Sequence, residues 1–333
     1  MAENTSISWC NSTWNPIRGC SRISAGCDHC YAEAMSKRNP TTLGVWGPGG
    51  TRSFGVESYW RQPAKWNEKA AEVGEIHTVF CMSLADLFEG AHEQNENGDW
   101  TELREGPRPD YLPILERMVE TFAPLTSLRV LALTKRTWNA VQWSEARGGW
   151  PANWWLGASV ENQAAAEERI PYLLKVPAAI RFLSCEPLLG PVDLSGWMAP
   201  NSDLRPGHRW AECLCSQIDP SDRPCVVCDI RGIGWVIGGG ESGPHARPWH
   251  PGWARLLRDR CTAAGVPFHW KQHGEWAPDC IHPDDTHATL GRKVCRTVAR
   301  PTPGRMGVMF RCGKHNAGRI LDGRTWDELP EAT

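Results

Sequence analysis

Short apolar runs rich in β-branched and small residues recur along the chain, each followed by a polar, glycine-containing turn and then a stretch of helical spacing. That rhythm is the layout of a parallel α/β protein, in which each strand returns to the sheet through a helix. It predicts strands at 78–82, 129–133, 155–160, 180–184, 234–237 and 267–271, with a first strand inside 13–18. Helices are expected at 109–122, 137–144, 163–174 and 252–264, with Asn162 and Pro251 placed near two helix starts. Repeated strand–helix units without a dinucleotide fingerprint favour a parallel (β/α) barrel, taken as partial, over a doubly wound sheet.

In such barrels function collects at the carboxyl ends of the strands. Those ends carry Ser83 with Asp86, Thr134-Lys135-Arg136, Ser159 with Glu161 and Asn162, Cys185-Glu186, Glu241-Ser242 and Lys271-Gln272, which suggests one shared pocket. Two stretches break the rhythm: a Cys-, Pro- and Asp-containing insertion at 198–231, and a polar, irregular extension at 279–333. The barrel itself is expected over 1–278, the insertion included.

Composition narrows the class. Hydrophobic residues make up 41% of 333 positions, enough for a sizeable core, and no run approaches a membrane span. The opening residues show no basic segment followed by an apolar one, so the expected compartment is the cytoplasm. There, fourteen cysteines read as metal ligands or catalytic thiols rather than disulfides. A formal charge of −2 gives no global field for nucleic acid, so any such contact must be local. Nineteen tryptophans against four tyrosines could supply stacking surfaces for bases, although packing of loops against the barrel is the leading reading.

Cys20, Cys27 and Cys30 form C-x6-C-x2-C just after the first strand. Three thiolates can hold three irons of a [4Fe-4S] cluster and leave the fourth open to a ligand. Gly19 and Gly26 would let the loop wrap closely around an inorganic group. Spacing alone leaves structural zinc as an equal alternative, with Cys10 or His29 as the fourth ligand.

The cysteine segment resembles the cluster loop of radical S-adenosylmethionine enzymes, with three more residues in the first gap than their commonest spacing. The wider pattern resembles a phage-associated three-cysteine-motif family of that superfamily, similar to spore photoproduct lyase. The segments that carry the resemblance are TWNP (13–16), GCDHCYAE (26–33), SLADLF (83–88), LTKR (133–136), WLGASVENQ (155–163), RFLSCEPL (181–188), GGGESG (238–243) and WKQ (270–272).

The resemblance implies that the open iron chelates the methionine part of S-adenosylmethionine, and that one electron splits the sulfonium to yield a 5′-deoxyadenosyl radical. It implies an electron donor such as flavodoxin or ferredoxin. It also implies that Tyr31 lies beside the adenine, and that Gly238, Gly239 and Glu241 belong to a G-x-I-x-G-x-x-E-like strand, here on the sixth strand with Val236 in place of Ile. Ser159, Glu161 and Asn162 would meet the ribose and carboxylate, and Asp86 the methionine amino group. Asn162 could equally be a helix cap.

Lys135 and Arg136 could clamp an anionic group, with Lys135 close to the chemistry and Arg136 on the substrate. Cys185 could donate a hydrogen atom to a substrate radical, against the commoner role of a small buried hydrophobe. Glu186, Lys271 and Gln272 would close the substrate pocket.

Within the insertion, Cys213, Cys215, Cys225 and Cys228 make C-x-C-x9-C-x2-C, which suits tetrahedral zinc first and an auxiliary cluster second. Cys261, Cys280, Cys295 and Cys312 support no ligand set. From the family context, the expected substrate is a modified base or nucleotide in phage DNA hypermodification, for instance isomerisation of an amino-acid substituent on thymine. The alternatives are repair of a thymine lesion and a non-enzymatic, zinc-stabilised DNA-binding protein.

Overall fold

The structure is a computed structural model that describes residues 5–198, 232–278, 295–299 and 306–331. Seven strands form one sheet: β1 (Ser12–Trp14), β2 (His77–Cys81), β3 (Leu128–Thr134), β4 (Trp154–Ser159), β5 (Arg181–Cys185), β6 (Trp235–Gly239) and β7 (Phe268–Gln272). They lie in chain order, every neighbouring pair is parallel, and β1 and β7 are the two edges. The result is a curled α/β half-barrel, the partial (β/α) barrel that the strand–helix rhythm predicts, with each expected strand within two residues of its place.

The crossovers are α1 (Tyr31–Arg38) and α2 (Gln62–Val73) before β2, α3 (Leu112–Phe122), α4 (Thr137–Ala146), α5 (Gln163–Leu173) and, before β7, α6 (Pro251–Ala264). Asn162 caps α5 by accepting the Ala165 N–H at 3.0 Å, and His250 caps α6 by accepting the Gly252 N–H at 2.9 Å. Gly265 ends α6 with φ +66°, in the left-handed region where a side chain is strained.

Strand alternation sorts the buried residues into two layers. Val79, Cys81, Val130, Leu156, Leu183 and Cys185 face outward and pack with helix residues such as Met118, Ile170 and Leu257. Phe80, Leu131, Trp155, Phe182, Trp235 and Ile237 face inward, where Trp9 from the segment before β1 joins them. The Trp9 and Phe80 ring centroids are 4.6 Å apart. Several of these aromatics stand at strand beginnings, so they plug the amino end of the barrel interior and leave space only toward the carboxyl ends. Gly157 is part of that fit, because a Cβ there would lie 2.3 Å from the Phe182 ring.

The free edge of β7 is covered. Trp270 N–H donates to the Trp326 carbonyl at 2.9 Å, Phe268 N–H to Glu328 Oε2 at 3.0 Å, and His269 bridges Asp327. Trp276–Ala277 pairs antiparallel with Met306–Arg311, which pairs with Cys295–Ala299. The described part of 279–333 holds two strands and the segment that covers the edge of β7. Cys213, Cys215, Cys225, Cys228 and Cys280 lie outside the described residues. No helix among the described residues is long and apolar enough to cross a membrane.

Candidate functional site

A cavity of about 680 Å³ opens at the carboxyl ends of the strands. Trp9, Phe80 and Leu133 contribute apolar lining, and Cys20, Cys27, Cys30, Tyr31, Asp86, Lys135, Arg136, Ser159, Glu186, Glu241, Lys271 and Gln272 all border it. Cys20 and Gln272, 252 positions apart in the chain, thus border one cavity.

The three cysteines arrive by three local devices. After β1, Ile17–Arg18 pairs with Ser53–Phe54, and Gly19, at φ +100°, donates its N–H to the Leu84 carbonyl at 3.0 Å. This turns the chain so that Cys20 is buried at the cavity wall. A single 3-10 turn, Ala25–Cys27, then carries Cys27, and Cys30 stands at the N-cap of α1. The Cys30 N–H donates to the Cys27 carbonyl at 3.3 Å, so the x2 spacing is one turn. Burial pushes the Cys20 thiol up, with the Arg136 guanidinium the strongest effect in the other direction.

Two carboxylates read from the sequence as cofactor contacts are engaged with this loop. Glu161 is buried, pairs with Arg169 at 2.8 Å and accepts the Gly26 N–H at 3.4 Å. Burial would raise its carboxyl, but Arg169 beside it holds it below the usual range. Glu241 accepts from Arg247 Nε at 2.9 Å and Nη2 at 2.6 Å, and meets His29 Nδ1 at 3.2 Å. Arg247 also donates to the Ala25 carbonyl at 2.8 Å and to Asp28 at 3.1 Å. Burial works against the charged Glu241 and the Arg247 hydrogen bonds outweigh it, so this carboxyl also sits low. Arg247 was not singled out in the sequence, because a lone Arg in a loop carries no spacing signal.

Asp86 and Arg136 are likewise spent on each other. Asp86 accepts from Thr134 Oγ1 at 2.6 Å, from the Lys135 N–H at 3.0 Å, from Arg136 Nη1 at 3.0 Å and from the Phe88 N–H at 3.1 Å. Arg136 is 1% exposed and has no N–H left for a ligand, so its placement does not suit the substrate clamp expected of it. Lys135 differs: it is half-buried at the cavity, and its ammonium makes no ion pair among the described residues.

Glu186 meets Lys271 Nζ at 2.9 Å and Gln272 Nε2 at 3.0 Å, and Gln272 also donates to Ser242 at 2.9 Å. Tyr31 donates its hydroxyl to the Ser83 carbonyl at 2.6 Å. Five expected residues among those described stand apart from the cavity lining, Glu161 with its Arg169 partner being one of them. Asn162 is the helix cap described above. Gly238 and Gly239 lie within β6, the sixth strand, with only the following Gly240 at the cavity. Cys185 faces the helix layer, fully buried in the core, while its neighbours Ser184 and Glu186 face the cavity. Cys261 is also a core residue.

Among the described residues, no three His, Cys, Asp or Glu side chains converge as the ligands of one ion would. Tetrahedral zinc, with sulfurs at about 2.3 Å from the metal, demands that convergence. Neither Cys10, packed against the aromatic interior, nor His29, bonded to Glu241, completes such a set. A four-iron cluster makes a different demand, since each thiolate binds a different iron. Cys20, Cys27 and Cys30 all border the cavity, on a loop held at Gly26 and Asp28, and thiolates are the ligands such a cluster takes.

No curated protein matches the chain significantly. Among solved structures, a double mutant of spore photoproduct lyase with bound AdoMet and dinucleoside spore photoproduct is similar at 11% identity and a TM-score of 0.38, covering 91% of this chain and 68% of that one. Spore photoproduct lyase complexed with dinucleoside spore photoproduct gives 11% identity and 0.38 over 90% and 68%. A family model matches residues 4–330, and the chain belongs to that family, described as a protein of unknown function (DUF5131).

Proposed function

We propose that this chain is a radical S-adenosylmethionine enzyme that holds a [4Fe-4S] cluster on Cys20, Cys27 and Cys30 and acts on a modified base or nucleotide, as in phage DNA hypermodification. One observation carries the reading: the three thiols of a C-x6-C-x2-C loop border a single deep cavity at the carboxyl end of a parallel half-barrel. When bound, the cluster would supply one electron to S-adenosylmethionine and so give the radical that abstracts hydrogen from substrate.

The chain's own residues supply position and dryness. The Glu161–Arg169 and Glu241–Arg247 pairs hold the cysteine loop from two sides, so its geometry is set before any ligand arrives. Lys135, which makes no ion pair among the described residues, offers a cation to a carboxylate or phosphate in the cavity. Glu186, Lys271, Gln272 and Ser242 form a connected polar wall able to meet the edges of a base or an amino-acid-like substituent. The aromatic plug under Trp9 closes the far end against water, which protects a radical from quenching.

The test is anaerobic reconstitution followed by iron and sulfide analysis and an assay for 5′-deoxyadenosine with dithionite and S-adenosylmethionine. Wild type is expected to bind about four irons and form deoxyadenosine, and Cys20→Ala, Cys27→Ala and Cys30→Ala each to lose both. A variant that keeps the brown absorbance and the product refutes the ligand set. Mass spectrometry of nucleosides from DNA made with and without the protein then reads the substrate, a rearranged base supporting hypermodification and a restored thymine pair supporting repair.

A further inference from the structure

Arg136 stands two residues past β3, at the N-cap of α4, where the cysteine loop, the turn after β2 and the hairpin strand Trp100–Glu102 come together. Its five N–H donors are all directed. Nε and Nη2 fork onto Glu102 at 2.5 and 2.6 Å, Nη1 donates to Asp86 at 3.0 Å, and Nη2 also donates to Ser21 Oγ at 2.9 Å. The remaining Nη1 hydrogen faces Cys20 Sγ at 3.9 Å. Among the described residues, the sulfurs of Cys27 and Cys30 have no arginine donor.

The charges around Cys20 do not cancel without Arg136. Glu89 is matched by Arg52 at 2.5 Å, both buried, which leaves one guanidinium as the permanent cation paired with both Asp86 and Glu102, the second of which also meets the His92 ring at 3.5 Å. A cluster thiolate adds further negative charge to the same dry region, and reduction adds one more. In a medium of low dielectric, a fixed cation that donates to a cluster sulfur stabilises the reduced form more than the oxidised one.

We propose that Arg136 is a positioning residue that raises the reduction potential of the cluster through Cys20, and that Glu102 opposes it from behind. The proposal rests on the reading of Cys20, Cys27 and Cys30 as cluster ligands. It replaces a substrate role for Arg136 with an electronic one, and it makes one of the three ligands chemically unlike the other two.

The experiment is a redox titration of the full-length, anaerobically reconstituted protein, followed by electron paramagnetic resonance without S-adenosylmethionine. R136K keeps the charge but loses the fork, and is expected to lower the reduced-to-oxidised ratio at least tenfold at the potential where wild type is half reduced, a shift of about −59 mV for one electron. E102Q removes the opposing carboxylate at a hairpin rather than in the core, and is expected to shift the potential the other way. Opposite shifts support the proposal, because loosening the fold would not move the two variants apart in sign. Equal iron content with an unmoved R136K potential, or shifts of one sign in both, overturns it. If R136K does not fold, E102Q decides alone: a positive shift supports the proposal, and no shift or a negative one overturns it. A wild-type protein that binds no cluster overturns the underlying reading instead, which the iron analysis shows before any titration begins.

Discussion

Arg169→Met tests whether the cysteine loop rests on a buried ion pair. Arg169 and Glu161 are 1% and 2% exposed, and the pair sits at 2.8 Å between α5 and the end of β4. Arg169 also donates to the Ser159 carbonyl at 2.7 Å. Removing the guanidinium leaves a desolvated carboxylate with a long backbone contact to Gly26 and no paired cation, only the more distant charge of Lys135. Breaking one side of such a pair costs about 3–5 kcal/mol, whereas the pair as a whole contributes far less. A urea titration of R169M is therefore expected to show that loss, and R169M combined with Glu161→Gln to recover much of it, since no charge is then stranded.

The pH dependence has a defined sign. The folded Glu161 carboxyl lies below its unfolded value, so the pair's contribution is complete above the unfolded pKa, near about 4.3, and fades as pH falls through the folded one. In R169M that dependence should reverse, with acid relieving the stranded charge. A loss under about 1 kcal/mol in R169M, or a double variant no more stable than the single, would refute the argument.

Two further predictions concern the scaffold. Gly157→Ala forces a methyl to within 2.3 Å of the Phe182 ring and should destabilise the protein by about 1–3 kcal/mol or more in the same titration, with Phe182→Leu restoring part of the loss. His269 bonds Ser8 at 2.8 Å inside the barrel and, through burial and then Arg319, is pushed down to about 4. Its unfolded form takes up a proton near about pH 6.5, so stability should fall as pH drops from there toward 4, and His269→Gln should flatten that slope. An imidazole titration near 6.5 by NMR would show that the ring is not buried as described.

How much of this was legible in the sequence differs from element to element. The strands stood out because both faces of a parallel sheet are covered, which leaves short apolar runs between polar turns. The helices α1 and α2 did not stand out. In α1 the buried positions include Glu33 and Ser36, so its inward side does not read as an apolar stripe, and the exposed Tyr31 and Met35 blur it further. The strand-end residues were found by place, and most of them do border the cavity.

Spacing along the chain determined the three-cysteine loop, the order of the strands and the end of the barrel where chemistry belongs, because these follow from local turns and from a connection rule that acts on neighbours. Which polar groups are free was decided by the tertiary structure alone. Asp86, Arg136, Glu161 and Glu241 look available in sequence, but Asp86 and Arg136 meet from two strand ends, Arg169 reaches Glu161 from the helix after β4, Arg247 folds back on Glu241 from six residues on, and Lys135 makes no ion pair among the described residues. Cys185 was decided in the same way: in a strand buried on both faces, only the packed sheet shows which of two adjacent residues meets the cavity and which meets the helices.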